Sequence, residues 1–348
     1  MAHLTTADHG PPLEAVGGRR SAVGGRRSQV GQARQVMLYY RRSQALPRMC
    51  MDATRAASES YDLAPIRELY PFPTRRLALP GGTLSYVDTG GTAPPVVLVH
   101  GNPTWSFYYR RLITALRSTH RVIAPDHMGC GLSSKPQTYP YTLSTHIDNL
   151  GHLINHLGLG RVDLVVHDWG GAIGMGWATR HPEHVRRMVV LNTAAFLSPR
   201  LPFRIAVCRY PLFGDLAVRG LNAFAVAATF MAVERPLDPT VRRGYLLPYN
   251  SWANRVAIQH FVRDIPLSPR HPTWAVVDGI DRELPALREQ PMLILWGGKD
   301  WCFTDHFLAG WLARFPAAEA VRFDHAGHYV LEDAHEELVP RVVRFLAG

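Results

Sequence analysis

The stretch Val165-Val166-His167-Asp168-Trp169-Gly170-Gly171 constrains this chain more than any other. Leu164 to Val166 are apolar and largely β-branched, as in a buried strand, and Ala172-Ile173-Gly174-Met175-Gly176-Trp177-Ala178 continues with a helical pattern. The glycines between them permit a sharp turn with close packing underneath, and Asp168 falls at its tip. An ionised aspartate is already a nucleophile at neutral pH, whereas a serine in that position would first need a base to take its proton. The ester or mixed anhydride that forms must then be broken. That step calls for a histidine to activate water or move a proton, and for an acid to hold the histidine's tautomer and balance its charge.

Both groups follow in chain order. Asp300 stands after the apolar run Pro291-Met292-Leu293-Ile294-Leu295-Trp296 and Gly297-Gly298-Lys299, at the carboxyl end of an expected strand. His328 lies in Asp324-His325-Ala326-Gly327-His328-Tyr329, after the strand-like Ala320-Val321-Arg322-Phe323. Of the seventeen histidines, this placement selects His328, with His325 as its rival in a structural position at the strand end. On the electrophile side, His100-Gly101-Asn102-Pro103 follows the buried-strand pattern Pro95-Val96-Val97-Leu98-Val99. Backbone N–H groups of Asn102 and Trp169 are expected to converge beside Asp168, and their side chains offer an amide NH₂ and an indole N–H to a leaving anion. Asp126, in Asp126-His127-Met128-Gly129-Cys130-Gly131, reads as a structural acceptor of backbone hydrogen bonds.

Around these motifs the pattern predicts an α/β chain. A hairpin over Arg75 to Asp88 turns at Pro80-Gly81-Gly82, and strands are expected near 95–100, 121–126, 162–168, 187–193, 291–296 and 319–323 with helical segments between them. This is a mostly parallel, doubly wound sheet. Residues 70–196 and 289–348 are assigned to the core, and the proline-punctuated, helical 197–288 to an inserted cap. Within the cap, Phe224, Phe230, Met231 and Trp252 are assigned to substrate contact, with Trp274 a further aromatic able to close the pocket. The apolar run 223–233 is too short to span a bilayer.

The motifs His100-Gly101-Asn102-Pro103, His167-Asp168-Trp169-Gly170-Gly171, Gly297-Gly298-Lys299-Asp300 and Gly327-His328 make residues 70–348 resemble the haloalkane dehalogenase family of α/β-hydrolases. Asn102 departs from the neighbouring epoxide hydrolases, which place a bulky aromatic there. Some family members carry a glutamate after the preceding strand; Val189-Val190-Leu191-Asn192-Thr193-Ala194-Ala195 has no carboxylate, which leaves Asp300 as the acid. Pro248-Tyr249-Asn250-Ser251-Trp252, Asp264-Ile265-Pro266-Leu267-Ser268-Pro269 and His328-Tyr329-Val330-Leu331-Glu332-Asp333 further resemble the subgroup of β-lactone decarboxylases of bacterial long-chain olefin biosynthesis. The resemblance implies conversion of a cis-3,4-dialkyl-oxetan-2-one to a cis-alkene and CO₂, and association with the synthetase and thiolase-like enzymes that make the lactone. Two chemistries stand open on the same five residues: displacement of halide followed by hydrolysis of the alkyl ester, or opening of a β-lactone at its carbonyl or alkyl carbon. A non-catalytic lipid-binding scaffold is the reading of another class. The expected ligand is a small hydrophobic molecule, with no metal and no organic cofactor.

The first fifty residues are different material. They hold eight arginines, no lysine and only Asp8 and Glu14 as acids, which accounts for +6 of the chain's +10. Val-Gly-Gly-Arg-Arg-Ser occurs at 16–21 and again at 23–28 with little apolar surface to bury, so disorder is expected over residues 1–60. A tether to nucleic acid or an anionic surface, a transit peptide, and translated sequence upstream of a start near Met49 or Met51 are the readings weighed, and the last is preferred; nucleic-acid binding is not expected. Cys50, Cys130, Cys208 and Cys302 form no CxxC pair, and a cytoplasmic location is expected.

Overall fold

Alternation with a period of two sets the layers, because successive side chains along a strand leave on opposite faces. The computed structural model describes residues 61–348 apart from 199, 201, 211 and 213, so the expectations for the arm of residues 1–60 lie outside the described residues. Eight strands form one sheet: β1 (Thr74–Leu79), β2 (Gly82–Asp88), β3 (Pro95–Val99), β4 (Arg121–Pro125), β5 (Val162–Asp168), β6 (Val185–Thr193), β7 (Met292–Gly297) and β8 (Glu319–Phe323). Their order is β1-β2-β4-β3-β5-β6-β7-β8, antiparallel from β1 to β2 to β4 and parallel thereafter. The β1–β2 hairpin closes with Leu79 opposite Gly82, and Gly81 adopts φ +84° in the turn.

Val97, Val99, Leu164, Val166, Val190 and Ile294 face one side of this sheet, while Val96, Leu98, Val165, Val189, Leu191, Leu293 and Leu295 face the other. Strands apolar on both faces must be covered by helices on both faces. The helices among the described residues are α1 (Arg110–Leu116), α2 (Leu143–His156), α3 (Trp169–Ala178), α4 (Phe203–Val207), α5 (Ala223–Met231), α6 (Pro239–Leu246), α7 (Val256–Arg263), α8 (Pro272–Glu283), α9 (Asp305–Arg314), α10 (Val330–Asp333) and α11 (His335–Ala347). Ile147 and Leu150 of α2 and Ile173 and Met175 of α3 join the first face, and Leu112 and Ile113 of α1 with Leu338, Val342 and Leu346 of α11 join the second. None of these helices is long and apolar enough to cross a membrane.

Helices α4 to α8 and a π-helical turn at Asp215–Gly220 occupy the insertion between β6 and β7. They do not act as one block up to residue 288. Helix α8 packs against α2 and α3, with Val277 and Ile280 in the core, so it belongs to the layer flanking the sheet. Asp264 makes that junction: its carboxylate accepts from the Leu143 N–H at 2.7 Å and the Thr273 hydroxyl at 2.6 Å, tying the starts of α2 and α8 together. On the other side, Arg110 and Glu332 form a buried ion pair that also receives the Tyr245 hydroxyl of α6.

From β3 the chain crosses to β4 on one side of the sheet, whereas β5 takes the other side of β3, so the carboxyl ends of β3 and β5 diverge at a topological switch point. Such a point leaves a crevice where ligands bind in open α/β sheets. The elbow after β5 fits there only because Gly170 has no side chain: a Cβ would run into the backbone carbonyl of Val99 on β3. Replacing Gly170 by alanine is therefore expected to cost about 2 kcal/mol or more of unfolding free energy, as overpacking against fixed backbone does. Urea denaturation showing a lowered midpoint with an unchanged m-value checks this; an unshifted midpoint would mean that the elbow relaxes freely.

Candidate functional site

Asp168 ends β5 and precedes α3 with φ 52° and ψ −128°, a conformation unusual for a residue with a side chain. Neighbours hold it there. The Thr193 hydroxyl at the end of β6 donates to the Asp168 carbonyl, and the backbone N–H of Asn102 donates to carboxylate Oδ1 at 2.6 Å. The loop after β3 approaches so closely that a side chain at Gly101 would overlap the carboxylate itself. Expected donors and expected nucleophile thus touch directly.

His328 is delivered by the loop between β8 and α10, and its Nε2 lies 3.6 Å from Asp168 Oδ2. Nδ1 faces Asp300 Oδ2 at 2.7 Å. Asp300 is fixed in turn by the backbone N–H groups of Cys302 (2.7 Å) and Phe303 (3.0 Å) on Oδ1, and by the Asn192 amide (3.0 Å) on Oδ2. The Phe303 ring stacks on the imidazole with centroids 5.6 Å apart, and His167 donates from Nε2 to the His328 carbonyl at 2.9 Å. Sequence reasoning passed over Asn192 as a mere absence of carboxylate. It is a clamp: its Oδ1 accepts from the Gly297 N–H at 2.7 Å and its Nδ2 also reaches the Gly297 carbonyl, locking the end of β6 to the end of β7 beneath Asp300.

Asp333 was likewise missed as a site residue. Its carboxylate accepts from the N–H groups of Gly327, Glu234 and Arg235, and the Tyr329 N–H donates to the Ala232 carbonyl, so the loop bearing His328 is bonded to the insertion. His325, the rival histidine, sits at the surface with Nε2 3.4 Å from Glu337. Asp126 accepts from the backbone N–H groups of Ser106 and Leu132, the structural role anticipated for it, and burial raises its carboxyl to about 6.

Charge at the site is set by burial acting against pairing. Burial raises the Asp168 carboxyl above its ordinary range, against the pull of His328 and of the Trp169 and Asn102 backbone donors. For His328 burial works against the charged form, yet the charge and hydrogen bond of Asp300, aided by Asp168, outweigh it and raise the imidazole. The two groups face each other closely, so they titrate as a pair.

In front of Asp168 opens a cavity of about 150 Å³ with mainly apolar walls, among them Phe196, Ile205, Phe224, Val262, Phe303 and Phe307. Asn102 and Trp169 line it beside Asp168. One Asn102 amide N–H is taken by the Ile258 carbonyl of α7 at 3.1 Å, which orients the NH₂ and leaves its second hydrogen for the cavity. The Trp169 ring packs on Phe261 with centroids 5.4 Å apart. Of the insertion residues assigned to substrate contact, Phe224 lines the cavity and Phe230, Met231 and Trp252 do not. Six residues beyond Phe224 on α5, Phe230 has rotated to the outer face and is 60% exposed. Met231 shares the inner face but lies two turns on, where its carbonyl accepts from the Trp301 indole. Trp252 stands outside with the Arg219 guanidinium 4.7 Å over its ring, and Trp274 is also absent from the lining.

The comparisons with known proteins bear on this arrangement. A family model described as the alpha/beta hydrolase fold matches residues 94–335. The chain is 46% identical over 285 residues to a cis-3-alkyl-4-alkyloxetan-2-one decarboxylase of Shewanella oneidensis, covering 80% of this chain and 89% of that protein. It is 32% identical over 300 residues to haloalkane dehalogenase 2 of Mycobacterium tuberculosis, covering 82% and 98%. The crystal structure of haloalkane dehalogenase DbeA from Bradyrhizobium elkani superposes with a TM-score of 0.74 at 26% identity, covering 80% of this chain and 98% of that one. The chain belongs to the α/β-hydrolase family. Within it, the relatives at these identities are enzymes named as β-lactone decarboxylases and, at greater distance, haloalkane dehalogenases.

If Asp300 sets the charge on His328, Asp300→Asn removes the countercharge and leaves burial dominant, so the imidazole pKa should fall below its wild-type value. NMR titration of the ring reads this directly, and an unmoved pKa would dissociate Asp300 from His328.

Proposed function

We propose that this chain decarboxylates a cis-3-alkyl-4-alkyloxetan-2-one to a cis-alkene and CO₂, with Asp168 as nucleophile. The observation that carries the reading is the Asp168 carboxylate itself: held at a strained elbow, bonded through one oxygen to the Asn102 N–H, and facing an apolar cavity. The higher identity to a decarboxylase than to a dehalogenase supports the lactone as substrate.

Attack at the sp³ ring carbon that bears oxygen closes a balanced cycle. An Asp168 oxygen forms a C–O bond while the ring C–O bond breaks, inverting that carbon and freeing the lactone carboxylate. In this reading the Asn102 amide and Trp169 indole, whose residues line the cavity beside Asp168, receive the opening carboxylate, as they would a halide. The carboxylate's C–C bond then breaks, its electron pair becomes the new π bond, and the Asp168 ester oxygen leaves as carboxylate. Inversion followed by anti elimination preserves the cis relation of the two alkyl chains. No water is consumed and no proton is transferred, so His328 serves as a cation steadying Asp168 and its ester, oriented by Asp300 and Asn192. The apolar cavity takes the alkyl substituents, and the helical insertion acts as a cap over it. The reading includes a cytoplasmic location beside synthetase and thiolase-like enzymes that would supply the lactone.

Haloalkane hydrolysis is the second reading, favoured by the two side-chain donors beside Asp168. There His328 must be neutral to deprotonate water. The scaffold reading loses its motive because Asp168 is open to the cavity.

A one-pot assay with a cis-β-lactone and a terminal bromoalkane, quantifying alkene and bromide against Asp168→Asn, separates them. Alkene without bromide, abolished in the variant, is expected; bromide alone assigns the dehalogenase, and alkene formation by Asp168→Asn refutes the nucleophile. The pH profile gives an independent sign. Decarboxylation, which needs His328 as a cation, should rise as pH falls through the raised imidazole titration and be lost where Asp168 protonates, above the usual carboxylate range. A dehalogenase, which needs a neutral imidazole, would instead lose activity as pH falls through the His328 titration.

A further inference from the structure

Eight large apolar side chains are exposed among the described residues, and all lie between 203 and 267, in the insertion. Five fall within a single stretch: Phe203 (81% exposed), Tyr210, Leu212 (83%), Leu216 and Leu221 (72%). The same stretch furnishes the cavity wall through Ile205, with Pro202 and Phe224 just beyond its two ends. It is thus apolar on two sides. In α4, Ile205 is buried while Phe203 faces solvent; in the π-helical turn, Val218 is buried while Leu216 faces solvent. Leu216 and Trp252 both reach over Gly220, extending the outer surface. Leu212 is held outward at φ 63°, a costly conformation for leucine, with its N–H donating to Asp215. Scattered exposed leucines need no explanation, whereas a concentration of them on the segment that also walls an apolar cavity does.

Charge selects the occupant. Between 197 and 233 the chain carries Arg200, Arg204, Arg209 and Arg219 against one acid, Asp215, and that carboxylate is already paired with Arg263 at 3.0 Å. Exposed Arg200 and Arg204 flank Phe203, and Arg200 lines the cavity. An apolar outer face with arginines at its edge is what an anionic lipid surface attracts, burying the first and pairing with the second.

We propose that the exposed side chains of Phe203, Tyr210, Leu212, Leu216 and Leu221 dock the enzyme on an anionic bilayer, setting the wall of the cavity against the acyl layer so that a water-insoluble substrate enters, and a hydrocarbon product leaves, without crossing water. The identity of that cargo rests on the lactone reading; the docking does not.

The test is flotation of the full-length protein with phosphatidylglycerol/phosphatidylcholine vesicles and with phosphatidylcholine alone, comparing wild type with the triple variant Leu212→Ser, Leu216→Ser, Leu221→Ser and with Arg204→Gln. Wild type should float with anionic vesicles and less with neutral ones. The triple variant should partition about tenfold more weakly, and Arg204→Gln should lose part of the anionic preference. Because the arginine-rich arm is the same in every protein, the difference reports on this stretch. Turnover of a short, water-soluble β-lactone should be equal in all three proteins; a common absence of turnover would count against the lactone reading and leave the flotation result intact. Equal flotation of wild type and triple variant, or no flotation of wild type, overturns docking, and loss of a dimer on gel filtration without vesicle binding reassigns the face to a second copy of the chain.

Discussion

The hydrogen bond from the Asn102 N–H to Asp168 is the contact on which the rest of the site turns. It joins the loop after β3 to the elbow after β5 across the switch point of the sheet, and both backbones must come so close that Gly101 and Gly170 have no room for a Cβ. The positive φ at Asp168 follows from that approach, since the strand must stop and the helix begin within one residue. Strain at the tip is sustained by parallel strands on both sides and by the Thr193 hydroxyl below. The carboxylate is thereby presented to the cavity with one oxygen already engaged.

Burying two carboxylates and an imidazole together would be unfavourable if any one were left alone. Here each has a partner suited to its charge. Asp300 collects two backbone N–H groups and the Asn192 amide, and its contact with Nδ1 raises the His328 imidazole against the effect of burial. Asp168, closer to the apolar cavity, is the member whose charge burial disfavours.

Sequence patterning revealed the strands and the elbow because their causes are local: a period of two, glycines at a turn, and a carboxylate at the tip. Asp168, Asp300, His328, Asn102 and Trp169 could be named because each stands at the carboxyl end of a strand or in the loop after it, where the parallel sheet gathers them. Asn192 and Asp333 were not legible as site residues, since their partners lie 105 to 108 and up to 99 positions away and an Asn or Asp at an element end suits many turns. The insertion was least legible. Its helices are short and apolar on more than one side, so periodicity could not tell the inner Phe224 from the outer Phe230, and the turn of α5 decided between them. Helix α8 carried no signal that it would leave the insertion to pack on α2 and α3.

The insertion is nevertheless not independent of the chemistry. Asp333 binds Glu234 and Arg235 on one side and Gly327 on the other, and Tyr329 reaches Ala232, so the residues flanking His328 are bonded to the segment that follows α5. From the same insertion, the Ile258 carbonyl of α7 orients the amide of Asn102. A displacement of these helices by a bulkier substituent would therefore reach both the imidazole and the anion donor through hydrogen bonds rather than through the cavity wall alone. Under the proposed function, variants that only enlarge the pocket should therefore differ from those that loosen Asp333 in whether kcat or KM responds.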